Sequence, residues 1–132
     1  MQKIIINISW EENYGASSDD VLGCVATHKT LDGIKEAYRS ALEFHLQGML
    51  EDGDDIPNVL KGNYELVFKM DVHALLHYYN GIITRSALSR ITGINEKQLG
   101  HYAQGHRKPR QKQREKIING LHRIGKEFIN VV

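Results

Sequence analysis

A basic stretch that lacks carboxylates is the first feature of this chain whose residue types could do chemistry. No Asp or Glu occurs between Glu96 and Glu115. The interval instead holds these cationic or titratable residues: Lys97, His101, His106, Arg107, Lys108, Arg110, Lys112 and Arg114. Cations concentrated in one segment attract a polyanion such as the phosphate backbone of a nucleic acid. We therefore predict a nucleic-acid interface here.

The charge is divided along the chain in a way that the total conceals. Residues 1–71 hold six Lys and Arg against thirteen Asp and Glu, a net charge of −7. Residues 72–132 hold eleven against three, a net charge of +8. The sum is only +1. We predict two domains with this boundary, a basic one for nucleic acid and an acidic one that suits a basic protein partner.

The carboxylates of the first half are candidates for metal-dependent nuclease chemistry, which needs several of them around two metal ions. The available residues are Asp19, Asp20, Glu36 and Glu43. No predicted strand carries an inward acidic residue at its centre, so we expect no catalytic activity.

Two histidines and the single cysteine are the remaining candidates. His73 and His77 lie four residues apart and could hold a metal on one helix face, but no third ligand accompanies them. Cys24 has no basic neighbour to activate its thiol and no partner for a disulfide within the chain. We expect neither a metal nor a cofactor.

Composition indicates a cytoplasmic protein. The mean hydropathy is −0.42 and no apolar run approaches twenty residues, so no membrane span is predicted. The first residues lack the pattern of a secretory signal, since Glu11 and Glu12 follow a short apolar stretch. One cysteine fits a reducing compartment. We expect a bacterial, nucleoid-associated location.

The first half has the pattern of a β-β-β-α-β unit. Residues 3–8 are rich in Ile and residues 64–70 alternate, so both predict strands. Residues 14–17 and 24–27 are weaker strand candidates. From Thr30 apolar residues recur every three or four positions, which predicts a helix that Thr30 caps and Gly53 ends.

The second half is helical throughout, so the predicted fold class is α+β. Four helices are expected, the first over residues 72–79 and the last from about Arg110. The residues expected to cap or end the first three are Asp71, Gly81, Thr84, Gly93, Asn95 and Gly105. Gly120 and Gly125 each cost about 1 kcal/mol of helix propensity, so the last helix is expected to bend or split.

Residues 84–109 have the parts of a helix-turn-helix, in which the second helix enters the DNA major groove. Ala87 is small enough for a close helix crossing, and Gly93 can adopt the left-handed turn conformation. The residues expected to face the core are Ile94, Leu99 and Tyr102. Glu96, Lys97, Gln98, Gly100 and His101 are then expected to face outward.

Each outward or loop residue can be assigned to the bases or to the phosphates. The predicted base-reading residues are Asn95, Glu96, Lys97, Gln98 and His101. The predicted phosphate contacts are Arg85, Arg107, Lys108 and Arg110. Glu96 could equally be a solvated first-turn carboxylate, and His106 is expected on the loop surface. Gly100 weakens the recognition helix unless the DNA approaches its backbone closely.

Residues 84–109 resemble the Xre/Cro–phage-repressor class of DNA-binding domains. The matching residues are Ala87-Leu88, Gly93-Ile94-Asn95, Leu99 and the segment from Gly105 to Pro109. The order Ala-Leu is reversed relative to the class, and Thr84-Arg85 stands where Gln is frequent. The resemblance implies sequence-specific binding to duplex DNA.

The first half resembles the antitoxin family HicB in three motifs. They are Asp19–Cys24, Thr30-Leu31 with Lys35-Glu36-Ala37, and Gly53–Pro57, although Asp19 and Leu22 replace prolines of the first motif. The resemblance implies a truncated ribonuclease H-like fold over residues 1–71. It also implies an antitoxin that binds HicA, a small basic mRNA-cleaving toxin, and represses the operon encoding both.

Charge alone suggests which residues contact such a toxin. The candidates are Asp19, Asp20, Glu51, Asp52, Asp54 and Asp55, and ordinary solvated turns are an equal explanation for them. A homodimer is expected because one recognition helix makes few contacts, with a tetramer as a further assembly. Two alternatives remain open: a stand-alone transcription regulator whose first half senses a ligand or dimerises, and a metal-dependent nuclease.

Overall fold

The computed structural model describes residues 1–132 and has an α+β fold, as predicted. The strands are β1 Gln2–Glu11, β2 Asn13–Ser18, β3 Val21–His28 and β4 Tyr64–Met70. The helices are α1 Leu31–Asp52, α2 Val72–Tyr79, α3 Arg85–Thr92, α4 Glu96–Ala103 and α5 Gln111–Ile129. The structure divides into two compact units, Met1–Asp71 and Val72–Val132, called the acidic unit and the basic unit below. No helix combines the length and apolar composition that crossing a bilayer requires.

The acidic unit contains one four-stranded mixed sheet. Its strand order is β3-β2-β1-β4, with β1 antiparallel to β2 and parallel to β4. All four predicted strands are present, and β1 extends beyond the predicted residues 3–8 at both ends. Ile4, Ile6 and Ile8 alternate into the core because successive strand side chains point to opposite faces of the sheet.

Helix α1 contributes the other half of this core. The Thr30 side chain caps it by accepting from the Gly33 amide at 3.0 Å, as the sequence predicts. Gly53 ends it in the left-handed conformation, with φ of 72°. The buried side chains of α1 are Ile34, Tyr38 and Leu42. A short 3-10 helix, Asn58–Leu60, follows Pro57 and was not predicted.

The basic unit consists of helices α2 to α5, and α3 and α4 begin at the predicted caps Thr84 and Asn95. The Thr84 hydroxyl accepts from the Ala87 amide at 3.0 Å at the start of α3. Gly93 ends α3 with φ of 77°, and its amide donates to the Ser89 carbonyl at 2.8 Å. This left-handed residue lets the chain reverse direction before α4 begins.

Helix α5 is uninterrupted over Gln111–Ile129, so the predicted split at its glycines is wrong. Gly120 is buried against α3, where a Cβ atom would lie only 2.8 Å from the Ile91 side chain. The Arg123 guanidinium also donates to the Ile91 carbonyl. The close packing of α5 on α3 therefore explains this glycine and offsets its helix-propensity cost.

Candidate nucleic-acid interface

An open groove in the basic unit brings together the residues predicted to contact DNA. It has a volume of about 450 Å³ and is called the basic groove below. Its lining residues are Asn95, Lys97, Gln98, His101, His106 and Arg107. The first four come from the start and middle of α4, and the last two come from the loop that follows α4. No carboxylate lines the groove, so its lining can carry only neutral or positive charge.

Helix α4 is held in place by its apolar residues and by its cap. Ile94, Leu99 and Tyr102 are all buried, as predicted. The Asn95 side-chain oxygen accepts from the Gln98 amide at 2.8 Å and begins the helix. Burying one side of the helix leaves Lys97 and His101 facing the groove.

The loop after α4 folds back onto that helix through a Schellman motif. The Gly105 amide donates to the Tyr102 carbonyl at 3.2 Å, and the His106 amide donates to the His101 carbonyl at 3.0 Å. Gly105 has φ of 77°, which disfavours other residues. As a result the rings of His101 and His106 lie 6.4 Å apart. His106 is exposed on the loop, as predicted, but it also lines the groove, which the sequence did not indicate.

Hydrogen bonds limit what two groove side chains can offer a ligand. The Gln98 side-chain nitrogen donates to the Tyr102 hydroxyl at 2.8 Å, which leaves the amide oxygen free to accept. The Asn95 oxygen is committed to the helix cap, which leaves its amide nitrogen free to donate. Glu96 is exposed but lies outside the groove lining.

Gly100 was predicted to face outward, and this is wrong. It is buried, and a Cβ atom there would lie 3.1 Å from a guanidinium nitrogen of Arg85. The Arg85 side chain therefore lies over the backbone of α4. Glycine at this position permits the approach of an arginine of the same chain, a contact that sequence spacing does not reveal.

The other predicted phosphate contacts lie beyond the groove. Lys108 and Arg110 are exposed on the segment between α4 and α5. Arg110 occupies the N-cap position of α5, and no side-chain hydrogen bond caps that helix. Only Arg107 of this loop lines the groove itself.

The His73 ring of α2 packs against Gly105 in the loop after α4, a contact that the sequence did not suggest. A Cβ atom at Gly105 would lie 2.8 Å from the His73 ring, and the His73 Nδ1 atom is buried without a hydrogen-bond partner. Burial lowers the pKa of His77, and the neighbouring His73 lowers it further. No group of three or more His, Cys, Asp or Glu side chains is arranged to hold a metal ion.

The predicted protein-binding carboxylates are all exposed on the acidic unit. Asp19 and Asp20 form the turn between β2 and β3, where the Asp20 amide donates to the Ser18 hydroxyl at 3.2 Å. Glu51 and Asp52 end α1, and Asp54 and Asp55 follow Gly53.

The fold brings these two acidic segments toward the same end of the unit. A Cβ atom at Gly23, just after the first segment, would lie 3.8 Å from the His45 ring of α1. Glu51 lies six residues further along that helix, or about 9 Å at 1.5 Å per residue.

Cys24 is buried in the acidic unit, which raises the pKa of its thiol. The Tyr38 hydroxyl beside the thiol lowers that pKa by a smaller amount. A protonated, buried thiol is a poor nucleophile.

Comparison of this chain with protein-family models, with curated proteins and with solved structures found no match.

Proposed function

We propose that this chain is a DNA-binding antitoxin of the HicB kind, which represses its own operon and neutralises a small basic mRNA-cleaving toxin. The observation that carries the DNA-binding part is the basic groove. It gathers donors and acceptors from α4 and cations from the following loop on one carboxylate-free surface. The antitoxin part is supported by the charge of the acidic unit and by the motif resemblance.

In this proposal α3 and α4 form a helix-turn-helix and α4 is the recognition helix. Its eight residues span about 12 Å, and the major groove of B-DNA is wide enough for an α-helix. Lys97 can donate to guanine, whereas the free Gln98 oxygen can accept from the amino group of adenine or cytosine. His101, one turn further along, reaches a neighbouring base pair.

The cations around the groove contact the DNA backbone in this proposal. Arg107 lies in the groove, and Lys108 and Arg110 follow it on an exposed segment. Arg85 lies against Gly100 of α4 and does not line the groove, so it is the least direct of the proposed phosphate contacts. Such contacts position the helix but carry no sequence information, and each adds to the salt dependence of binding.

A homodimer would present two recognition helices to inverted half-sites about one helical turn apart. The end of α5 is the candidate surface in the basic unit, because large apolar residues are exposed there. They are Phe128, Ile129, Val131 and Val132. A second contact surface in the acidic unit would make tetramers.

Neutralisation of a toxin is supported by the surface of the acidic unit. A ribonuclease needs a cationic surface to bind RNA, and a unit of net charge −7 is attracted to such a surface. The six exposed carboxylates described above provide the contacts. Covering the cationic surface would exclude the RNA substrate.

The DNA-binding proposal is tested by measuring affinity for the DNA upstream of the gene and for random duplex. Lys97→Ala and His101→Ala should weaken only specific binding, by about 1–3 kcal/mol. Arg107→Ala should weaken binding to both duplexes and lower the salt slope by about one. Lys126→Ala on α5 is the matched control outside the groove. Equal losses for all four variants on both duplexes would refute the groove assignment.

The antitoxin proposal is tested by finding whether an adjacent gene encodes a small basic protein and by co-expressing that protein with this chain. The full chain should relieve its toxicity, and the double variant Asp54→Lys, Asp55→Lys should relieve it less. Failure of the unaltered chain to protect cells rejects the antitoxin function. The protein would then be a stand-alone transcription regulator whose acidic unit dimerises or senses a ligand.

A further inference from the structure

Tyr102 of α4 contacts one of the residues that line the basic groove. Its side chain is only 2% exposed, whereas Gln98, one helical turn earlier, is half-buried and lines the groove. The Gln98 side-chain nitrogen donates to the Tyr102 hydroxyl at 2.8 Å. Residues four positions apart lie on the same face of a helix, so this contact requires no distortion of α4. It joins a side chain that the groove exposes to one that the core holds still.

Burial of Tyr102 favours keeping this hydrogen bond when a ligand enters the groove. A hydroxyl removed from water is destabilised if it has no hydrogen-bond partner, and Gln98 is the partner it has. The packed Tyr102 ring cannot follow Gln98 outward. The nitrogen end of the Gln98 amide, with both of its N–H groups, is therefore held toward α4. The oxygen end is the one that the groove presents to a ligand.

An amide held in this orientation reads a base differently from a free one. A free glutamine amide makes two hydrogen bonds to adenine, since its nitrogen donates to N7 and its oxygen accepts from the N6 amino group. The Gln98 oxygen alone can accept from that amino group or, equally, from the N4 amino group of cytosine. Guanine and thymine present acceptors in the major groove, and the Gln98 oxygen cannot pair with an acceptor.

We propose that Tyr102 determines the base preference of Gln98, so that one operator position accepts adenine and cytosine and rejects guanine and thymine. Tyr102 does not touch DNA and acts as a positioning residue through Gln98. The inference rests on the proposed binding of duplex DNA by α4, and it adds the class of sequence required at that position. Removing only the Tyr102 hydroxyl releases the amide, which can then turn both of its ends toward adenine.

Selection of duplexes from a random-sequence pool by the full chain, followed by sequencing, tests this role. The selected half-site should contain one position with adenine and cytosine in similar amounts, and Gln98→Ala should abolish the preference at that position alone. Tyr102→Phe should raise the ratio of adenine to cytosine affinity there by about fivefold or more, the discrimination that a two-bond contact provides. Tyr79→Phe removes a hydroxyl from α2 outside the groove and is the matched control, which should change no position.

The outcomes distinguish this inference from the proposed function. If the unaltered chain selects no common sequence, specific DNA binding is rejected and the inference with it. If the unaltered chain selects a site but Tyr102→Phe binds with the same ratio of adenine to cytosine affinity, only the role of Tyr102 is overturned. Nuclear magnetic resonance of the unaltered chain without DNA gives a second test. The side-chain amide hydrogens of Gln98 should exchange with water more slowly than those of exposed Gln104, and equal rates overturn the inference.

Discussion

Two glycines in one helix should respond with opposite signs to the same substitution. Gly120 and Gly125 both lie within α5, and alanine in place of either should add about 1 kcal/mol of helix propensity. At Gly125 no atom lies within 4 Å of the added Cβ. Gly125→Ala should therefore stabilise the basic unit by about that amount.

At Gly120 the packing term opposes the propensity term. The added Cβ would lie 2.8 Å from Cγ2 of Ile91 and 3.2 Å from Cγ2 of Thr92. Overpacking of this kind costs about 1–3 kcal/mol, which exceeds or cancels the propensity gain. Gly120→Ala should thus destabilise the unit by up to about 2 kcal/mol. The gain in helix propensity is the same for both variants. The difference between their free energies of unfolding therefore measures the packing cost where α5 contacts α3.

Thermal unfolding followed by circular dichroism at 222 nm provides the measurement. For a unit of about sixty residues, each 1 kcal/mol corresponds to a shift of about 4–8 °C in Tm. Hydrogen exchange should show the loss of protection in Gly120→Ala at α3 and α5. If both variants raise Tm equally, α5 does not pack closely on α3 and the account of Gly120 given above is wrong.

Three further substitutions test the groove and the core. Gly105→Ala should lower DNA affinity and cost about 1–3 kcal/mol of unfolding free energy, because alanine is strained at this positive φ and its Cβ would contact His73. Gly81→Ala, which has open space around the added Cβ, is the control in the same urea titration. Asn95→Asp should keep the helix cap and weaken DNA binding by placing a negative charge in the groove. Asn95→Ala should remove the cap and cost about 1 kcal/mol of unfolding free energy. Equal free energies of unfolding for the two variants would contradict the cap. The Cys24 thiol should resist Ellman's reagent at pH 8 until the chain is unfolded, since burial raises its pKa and keeps it protonated; rapid labelling of folded protein would contradict its burial.

The raised pKa of Cys24 also has a consequence for stability at high pH. The unfolded chain loses the thiol proton near the ordinary pKa of 9.0, whereas the folded chain retains it to higher pH. The contribution of this group is therefore fully present below pH 9 and decreases as the pH rises toward the folded-state pKa.

Features set by neighbouring residues could be predicted from the sequence. The Thr30, Thr84 and Asn95 caps and the bounds of Tyr64–Met70 agree with the pattern of the residues themselves. A cap needs only a side-chain oxygen within three residues of a free amide, so its signal is local. The division of charge between two halves is likewise a property of composition.

Contacts between residues that are far apart in sequence were decided only by the tertiary structure. The approach of Arg85 to Gly100, of His73 to Gly105 and of Ile91 to Gly120 explains three glycines that the sequence marked only as helix breakers or turn residues. The sequence by itself determined which residues are cationic, apolar or helix-capping, because these are local properties. Which cations share a groove, and which strand edge stays unpaired, depends on how helices and strands pack, since packing is set by shape between distant segments.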